Sequence, residues 1–389
     1  MAPDSERQTG RVSRRKFIAA AGVAGVAGLA GCSGGDGDGG DPTATETQNA
    51  ASETTSGEGK RQLDTSPLLA DGSSTVFPIS NGGAVVWGSN PEAGDEDYWL
   101  PSEWDDVKTS DERLADYFAG IYGYEPTGER SNPPFIVNVS LSHSGTGVEA
   151  VESGRVDVGN SSGRVQDELD RDSYEDFKNH VVGVDGQPIA VSNEVYENGV
   201  TDITLQELKD IYQGTITNWS ELGGQDRDIL VLGRAPGSGT STAFRANVFG
   251  DPDVELDAIE NRYGQNQKLQ TAIANADNAI SYIALSFIDE PDADDAQVVP
   301  LSLTVEGTTY EYRGDPGLGA KAYPLSRDLH MYTYGDTTAK ESAFINMFLT
   351  DYGQETHVRG ENYFGLGSSR IENQRRILAE PPNGFPSQE

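Results

Sequence analysis

Residues 229–240 read ILVLGRAPGSGT. The four leading residues are apolar and predict a buried strand, and the Pro, Gly and Ser residues after them predict a turn. Small residues in such a turn let main-chain N–H groups approach a ligand closely, and hydroxyls add further donors. Where the turn opens a helix, unpaired N–H groups and the helix dipole attract an anion. With Arg234 at its start, the segment predicts a strand, an anion-binding turn and a helix.

The same alternation of short apolar runs and helical patterns extends from about Leu63 to Leu378 and predicts an α/β fold. Strands are predicted at 135–139, 181–184, 188–191 and 229–232. Helices are predicted at 111–121, 147–153, 204–212 and 340–352, the third capped by Thr204. The apolar run at 280–287 fits either a strand or a helix. No internal repeat is visible.

The composition is strongly acidic. The 389 residues carry 63 acidic and 28 basic side chains, a net charge of −35. This charge excludes a general binder of nucleic acids or anionic membranes, because a polyphosphate surface would repel it. The 12 Phe, 16 Tyr and 4 Trp residues favour packed cores over disorder. We expect a protein from a halophilic prokaryote, in which salt screens the acidic surface over about 3 Å at 1 M.

The N-terminal segment is typical of an export signal. Arg14 and Arg15 precede a short apolar run, which indicates a twin-arginine signal over residues 1–31. The run ends in a lipobox-like sequence before Cys32, the single cysteine of the chain, so we expect lipidation there. Residues 32–62 lack large apolar side chains and predict a flexible acidic tether with a reach of about 30 Å. The protein is therefore expected to be exported and lipid-anchored to the outer face of the cell membrane.

Glycine- or hydroxyl-rich turns recur beside the apolar runs. They cover residues 72–78, 142–147, 159–164 and 234–240. Any one of them could be an ordinary capped loop, but together they favour a site for a small oxyanion. Other chemistry is less well supported: Pro236 disrupts a nucleophile elbow, no nucleotide P-loop is present, and the four histidines lack metal-ligand spacing. We expect neither a metal nor a cofactor.

Two stretches carry a family resemblance. Residues 213–220 read QGTITNWS and residues 233–240 read GRAPGSGT, and segments 280–283, 323–327 and 344–360 extend the match. The chain resembles the substrate-binding lipoproteins of phosphate ABC importers over most of residues 72–367. The resemblance implies a two-lobe periplasmic-binding-protein type II fold with a hinge and a central ligand cleft. It also implies a binding protein that performs no enzymatic reaction.

The resemblance predicts the domain organisation and the partners. Residues 63–185 together with 331–378 would form lobe 1, residues 186–330 lobe 2, and residues 379–389 a tail, with hinges near residues 186 and 329–332. Lobe closure would capture inorganic phosphate outside the cell and deliver it to the ABC-transporter permease subunits. The protein would act as a monomer, without binding nucleic acid, and would contact the membrane through its lipid anchor.

The family motif can be transferred residue by residue. It implies a forked contact from Arg234 to the phosphate oxygens and donors from the helix N-terminus at 238–240. It implies a ligand serine at Ser144 and a first turn at 75–77, to which Ser74 adds a hydroxyl. The expected phosphate-binding residues are Ser74, Thr75, Val76, Phe77, Ser144, Ser162, Arg234, Ser238, Gly239 and Thr240, with Arg164 as an additional candidate.

The chain departs from the family pattern at two positions. Many members place an Asp at the position of Ser162, where it accepts the proton of hydrogen phosphate and repels sulfate. Many also place an Asp beside the ligand arginine, where this chain has Pro236. Sulfate or another tetrahedral oxyanion therefore remains an alternative ligand. An exported phosphate sensor remains an alternative function, as does a phosphohydrolase, although the sequence shows no catalytic cluster for one.

Overall fold

The computed structural model describes residues 63–92, Asp95 and residues 113–385. The described residues belong to a unit that spans Arg61–Glu389. The export signal, the lipidation site Cys32 and the tether at 32–62 lie outside the described residues, so these predictions stay predictions. Among the helices that the structure describes, none has the length and apolar character that a membrane crossing requires.

The strands are numbered in chain order within this described part. They are β1 (Leu68–Gly72), β2 (Val137–Val139), β3 (Val158–Ser161), β4 (Phe177–Gly186), β5 (Ile189–Ser192), β6 (Asp202–Thr204), β7 (Leu230–Arg234), β8 (Asn261–Tyr263), β9 (Ala279–Tyr282), β10 (Val298–Val305), β11 (Thr308–Tyr310) and β12 (Ser326–Tyr334).

The helices follow the same convention. They are α1 (Phe77–Ser89), α2 (Leu114–Ile121), α3 (Ser144–Glu152), α4 (Val165–Glu168), α5 (Asn193–Glu197), α6 (Leu205–Tyr212), α7 (Gly239–Phe249), α8 (Asn266–Ala274), α9 (Ala339–Phe348), α10 (Asp351–Gly353) and α11 (Ser368–Arg375). Short 3₁₀ turns cover Trp219–Leu222, Leu285–Phe287 and Arg359–Glu361, and a π-helical turn covers Gln354–Val358.

The strands form two sheets. The first has the order β2-β1-β3-β12-β4, with β1 parallel to β2 and β3, and β12 antiparallel to β3 and β4. The second has the order β11-β10-β5-β9-β7-β8, with β6 beside β10 and with β7 parallel to β8 and β9. The chain passes from the first sheet to the second between β4 and β5 and returns at β12.

The return to the first sheet comes earlier than expected. β12 begins at Ser326 and pairs with β4 along its whole length, whereas the predicted return of lobe 1 is residue 331. The reason is the long antiparallel ladder between these two strands, which the sequence pattern did not reveal. The division into two lobes stays a prediction that the two-sheet arrangement supports.

Most of the sequence-predicted elements are present, with shifted ends. Thr204 caps α6 in a capping box with Glu207, as its position in the sequence predicts. The ambiguous run at 280–287 divides into β9 and a 3₁₀ turn. The helix expected from residue 147 begins at Ser144, and the helix expected at 340–352 ends at Phe348 before a separate short turn. These shifts all lie at element ends, where tertiary contacts decide the boundary.

Aromatic side chains fill the cores. Beside the first sheet, Trp87 packs against Phe344 with ring centroids 5.9 Å apart. Beside the second sheet, Phe244 of α7 stacks on Tyr282 of β9 with ring centroids 4.0 Å apart. The Tyr282 hydroxyl accepts the main-chain N–H of Arg234 at 3.2 Å. The buried core therefore fixes the position of β7 at the residue where the glycine-rich turn begins.

Candidate functional site

The topology brings the predicted turns to the carboxyl ends of parallel strands. β1 and β3 are parallel neighbours, so the turns that follow them are adjacent, and the Ser73 hydroxyl donates to that of Ser162 at 3.0 Å. β7 and β8 are also parallel neighbours, which places Arg234 beside the start of α8. Carboxyl ends of strands in open α/β sheets are the usual position of ligand sites.

Nearly all of the predicted residues are buried. Phe77 is half-buried, while the following are buried: Ser74, Thr75, Val76, Ser144, Ser162, Arg234, Ser238, Gly239 and Thr240. Buried hydroxyls and a buried guanidinium require hydrogen-bond partners, because each loses its hydration. Their clustering is therefore not explained by packing alone.

Arg234 is the central charge of this cluster. Its side chain donates to the carbonyl oxygens of Tyr263 at 3.1 Å and Gly264 at 2.8 Å. It also donates to Oδ1 of Asn266 at 2.6 Å and to the Ser74 hydroxyl at 3.1 Å. Within the described part of the chain, its hydrogen-bond acceptors include no carboxylate, and burial lowers its pKa to about 9. Neutral acceptors orient the guanidinium and leave its charge uncompensated.

Hydroxyl contacts connect the turns of the two sheets. The Thr75 and Thr240 hydroxyls lie 3.0 Å apart, and Asn266 donates to Thr75 Oγ1 at 3.0 Å. Ser144 accepts the main-chain N–H of Ser162 at 3.2 Å. Each hydroxyl can donate as well as accept, so the cluster can turn its hydrogen atoms toward an oxyanion.

The N-terminus of α7 supplies main-chain donors. Ser238 is its N-cap residue in extended conformation, and the Ser238 Oγ is buried without a hydrogen-bond partner among the described residues. The N–H groups of Gly239 and Thr240 occupy the first turn, where no helical carbonyl can accept them. Gly237 has a φ of +78°, a conformation that glycine adopts without strain. The turn thus presents donors and the positive end of the helix dipole.

Arg327 is a cluster residue to which the sequence analysis assigned no role. It forms a buried ion pair with Asp185 at 2.7 Å, between β12 and β4. Its Nη1 also donates to the carbonyl oxygens of Ser162 at 3.2 Å and Gly239 at 3.0 Å. Its segment was part of the family resemblance, but only the fold shows that it contacts turns of both sheets.

Glu168 also reaches the cluster, from the end of α4. Burial is the main cause that raises the pKa of its carboxyl to about 8, and Arg327 opposes this shift. In the sequence it is one acid among 63 acidic residues, and nothing in its spacing distinguishes it. Only its position in the fold does.

Arg164, the additional candidate, lies outside the cluster. Its side chain is 71% exposed and pairs with Asp167 at 2.9 Å. It immediately precedes α4, and in this position it extends into solvent. The part of the chain that the structure describes contains no group of three or more His, Cys, Asp or Glu residues able to hold a metal ion.

Comparison with known proteins assigns the fold to a family. Residues 124–351 match the model of the PBP superfamily domain. The chain belongs to the PBP superfamily. This chain is 29% identical over 240 residues to the phosphate-binding protein PstS of Bacillus subtilis, and the match covers 62% of this chain and 74% of that relative. It is 24% identical over 243 residues to PstS of Staphylococcus saprophyticus, covering 59% and 72%.

A solved structure supports the same fold. It comes from Clostridium perfringens, is assigned as a phosphate ABC transporter substrate-binding protein and holds bound phosphate. The TM-score is 0.55 at 22% identity, and the match covers 77% of this chain and all of that one. At this identity the likeness concerns the fold alone. The α/β fold that the sequence predicts is confirmed, and the structure shows that it contains two sheets.

Proposed function

We propose that this protein binds inorganic phosphate outside the cytoplasm and delivers it to an ABC-importer permease. The observation that carries the proposal is the buried guanidinium of Arg234, which is held by neutral acceptors only. An uncompensated buried charge is costly, and a bound anion removes that cost. The surrounding hydroxyls and the α7 N-terminus add the donors that a tetrahedral oxyanion needs.

The arrangement supports binding rather than catalysis. The Ser238 hydroxyl, a nucleophile by type, has no base within hydrogen-bond distance among the described residues. The relatives that the chain matches are binding proteins. We infer that the donors replace the hydration shell of the anion and that separation of the two sheets at the permease releases it.

The finer assignments belong to the same proposal. A twin-arginine signal would export the folded chain, and lipidated Cys32 would hold it at the outer face of the membrane through the tether at 32–62. Lobe 1 would comprise 63–185 and 331–378 and lobe 2 residues 186–330, in a monomer. The acidic surface favours a halophilic source, because high salt screens repulsion between the carboxylates.

Sulfate is the second candidate ligand. Arg234 is charged at neutral pH, and Ser162 stands where many family members have an Asp. Hydroxyl and amide donors can bind a fully ionised dianion such as sulfate in addition to a protonated anion such as hydrogen phosphate.

Calorimetric titration of the mature protein in molar NaCl tests the proposal. Phosphate should bind one to one and more tightly than sulfate. A preference for sulfate would identify sulfate, not phosphate, as the ligand. Binding of neither anion would reject the proposed function. Loss of high-affinity phosphate uptake on deletion of the gene should follow if the protein serves transport, and unchanged uptake would limit it to a sensor.

A further inference from the structure

Glu168 has an unusual position for an acid in so acidic a protein. It is the last residue of α4, and its Oε1 atom is shielded from solvent. Among the described residues, no donor hydrogen-bonds to this oxygen. An ionised carboxylate would not remain in this state without cost, since each carboxylate oxygen in water accepts hydrogen bonds. Oε1 therefore needs either a proton or a hydrogen-bond partner.

The carboxyl group lies where the two sheets meet. A methyl group placed on Gly163 would collide with Oε1 of Glu168, and one placed on Gly239 would be 2.7 Å from it. The methyl group placed on Gly239 would also lie 2.5 Å from the Ser144 hydroxyl oxygen and 2.9 Å from the Gly163 nitrogen. The acid, the predicted ligand serine and the first residue of α7 therefore converge on one place. An anion bound at the α7 N-terminus would be adjacent to Oε1.

The groups that face Glu168 determine its charge. Two residues of β12 interact with Glu168. Arg327 favours the ionised form of the carboxyl, and the charge of Glu168 in turn raises the pKa of Tyr332. On and before α4, Asp167 opposes ionisation and is paired with the exposed Arg164. Helices α3 and α7 face the carboxyl with Gly145 and Gly239, which cannot titrate. The main-chain N–H of Gly145 favours the ionised form through a hydrogen bond to the carboxyl. Burial is the largest influence, and it keeps the carboxyl protonated at neutral pH.

We propose that Glu168 is the residue that distinguishes phosphate from sulfate, by sharing one proton with the bound anion. The inference rests on the proposed function and adds a specificity residue at a position other than Ser162. When Glu168 is neutral, its O–H donates to an oxygen of the anion. When it is ionised, it accepts the P–O–H of hydrogen phosphate. In both cases one proton lies between the carboxyl and the anion, and no covalent bond to phosphorus or sulfur changes.

Sulfate and phosphate then depend differently on pH. Sulfate carries no proton, so it binds only when Glu168 is protonated. Its affinity should be constant below pH 8 and fall about tenfold per pH unit above it, because binding requires one proton from solution. Hydrogen phosphate brings its own proton and does not depend on the proton of Glu168. Loss of charge from Arg234, whose pKa is about 9, weakens the binding of both anions and leaves the ratio of their affinities unchanged. The ratio of phosphate to sulfate affinity should therefore rise about tenfold per pH unit above pH 8.

The test is a titration of both anions between pH 6.5 and 9.5 in molar NaCl, with the wild type, Glu168→Gln and Asp167→Asn. Glutamine retains a donor but cannot titrate, so in Glu168→Gln the ratio of phosphate to sulfate affinity should be the same at all pH values. Asp167→Asn removes a charge that opposes ionisation of Glu168, so its sulfate affinity should begin to fall at a lower pH than in the wild type, with the same slope. Melting temperatures of the three proteins check that the variants are folded.

The outcomes separate the two proposals. A sulfate affinity of the wild type that does not change above pH 8 overturns the role of Glu168 without any variant. The same slope in wild type and Glu168→Gln also overturns it, as does absence of sulfate binding by the wild type at pH 6.5. In these cases phosphate binding at neutral pH still supports the proposed function. Binding of neither anion would reject both proposals.

Discussion

Arg234 donates through Nη1 to Oδ1 of Asn266 at 2.6 Å, and Asn266 donates through Nδ2 to the Thr75 hydroxyl at 3.0 Å. The amide thus connects the charged residue of the second sheet to a turn of the first. Asn266 is neutral, so it orients the guanidinium without cancelling its charge. The amide takes the orienting role that a family Asp beside the arginine would have, and more of the positive charge remains for an anion.

Replacement of Arg234 should separate binding from stability. In Arg234→Met, phosphate affinity should fall roughly a hundredfold or more, because the charged donor is lost. The unliganded variant should be as stable as the wild type or more stable, since an uncompensated buried charge gives way to an apolar side chain. Calorimetry and thermal unfolding measure the two effects. The matched control is Arg313→Met, at an exposed arginine, which should leave affinity unchanged; a destabilised but phosphate-binding Arg234→Met would contradict the assignment.

Gly239 should tolerate no side chain. A methyl group there would lie 2.5 Å from the Ser144 hydroxyl oxygen and 2.7 Å from Oε1 of Glu168, across the contact between the sheets. Gly239→Ala should therefore weaken phosphate binding by roughly 10- to 100-fold, the loss of one or two charge-assisted hydrogen bonds. Gly120→Ala is the control, because nothing lies within 4 Å of the added group in helix α2. Equal phosphate affinity in both variants would show that the turn at Gly239 and the turn at Ser144 need not approach closely.

The Asp185–Arg327 pair should be important for stability. Asp185 is fully buried, and its Oδ1 also accepts the main-chain N–H of Leu285 at 2.9 Å. Asp185→Asn leaves Arg327 without a counter-charge and should lower the free energy of unfolding by about 3–5 kcal/mol. Glu152→Gln, at a partly exposed ion pair with Arg171, should change it by about 0–1 kcal/mol. Chemical denaturation of both variants in molar salt compares them; similar losses would mean that the buried pair contributes little.

Buried histidines should make the fold sensitive to acid. Burial lowers the pKa values of His180, His330 and His357 to about 4, below the ordinary value of 6.5. Between pH 6.5 and 4 the unfolded chain therefore binds protons that the folded chain does not, and stability falls as pH falls. Each histidine contributes at most about 1.4 kcal/mol per pH unit. In denaturation curves at pH 7.5, 6 and 5, His330→Gln should reduce this slope; an unchanged slope would mean that His330 is protonated in the folded state.

The sequence predicts those parts of the site that lie within single segments. The strand, turn and helix at 229–240 follow from apolar pattern and glycine spacing, and the Thr204 cap follows from its local motif. Arg327 could not be assigned a role in this way, because it contacts Thr75 across 252 residues of chain through the return of β12. Asn266 and Glu168 likewise reach the cluster only through strand order and helix packing.

The direction in which a side chain points was also not predictable from the sequence. Arg164 and Ser162 are close in sequence, but Ser162 faces the cluster and Arg164 faces solvent. The turn before α4 sets these directions, and a one-dimensional pattern does not encode its geometry.

The most direct test of the phosphate site is a crystal structure of the mature protein grown with phosphate in high salt. We predict one phosphate between the two sheets, within hydrogen-bond distance of the Arg234 guanidinium, the Ser238 hydroxyl and the main-chain N–H groups of Gly239 and Thr240. Phosphate bound elsewhere, or no bound phosphate with Arg234 still held only by its neutral protein acceptors, would contradict the phosphate site proposed here.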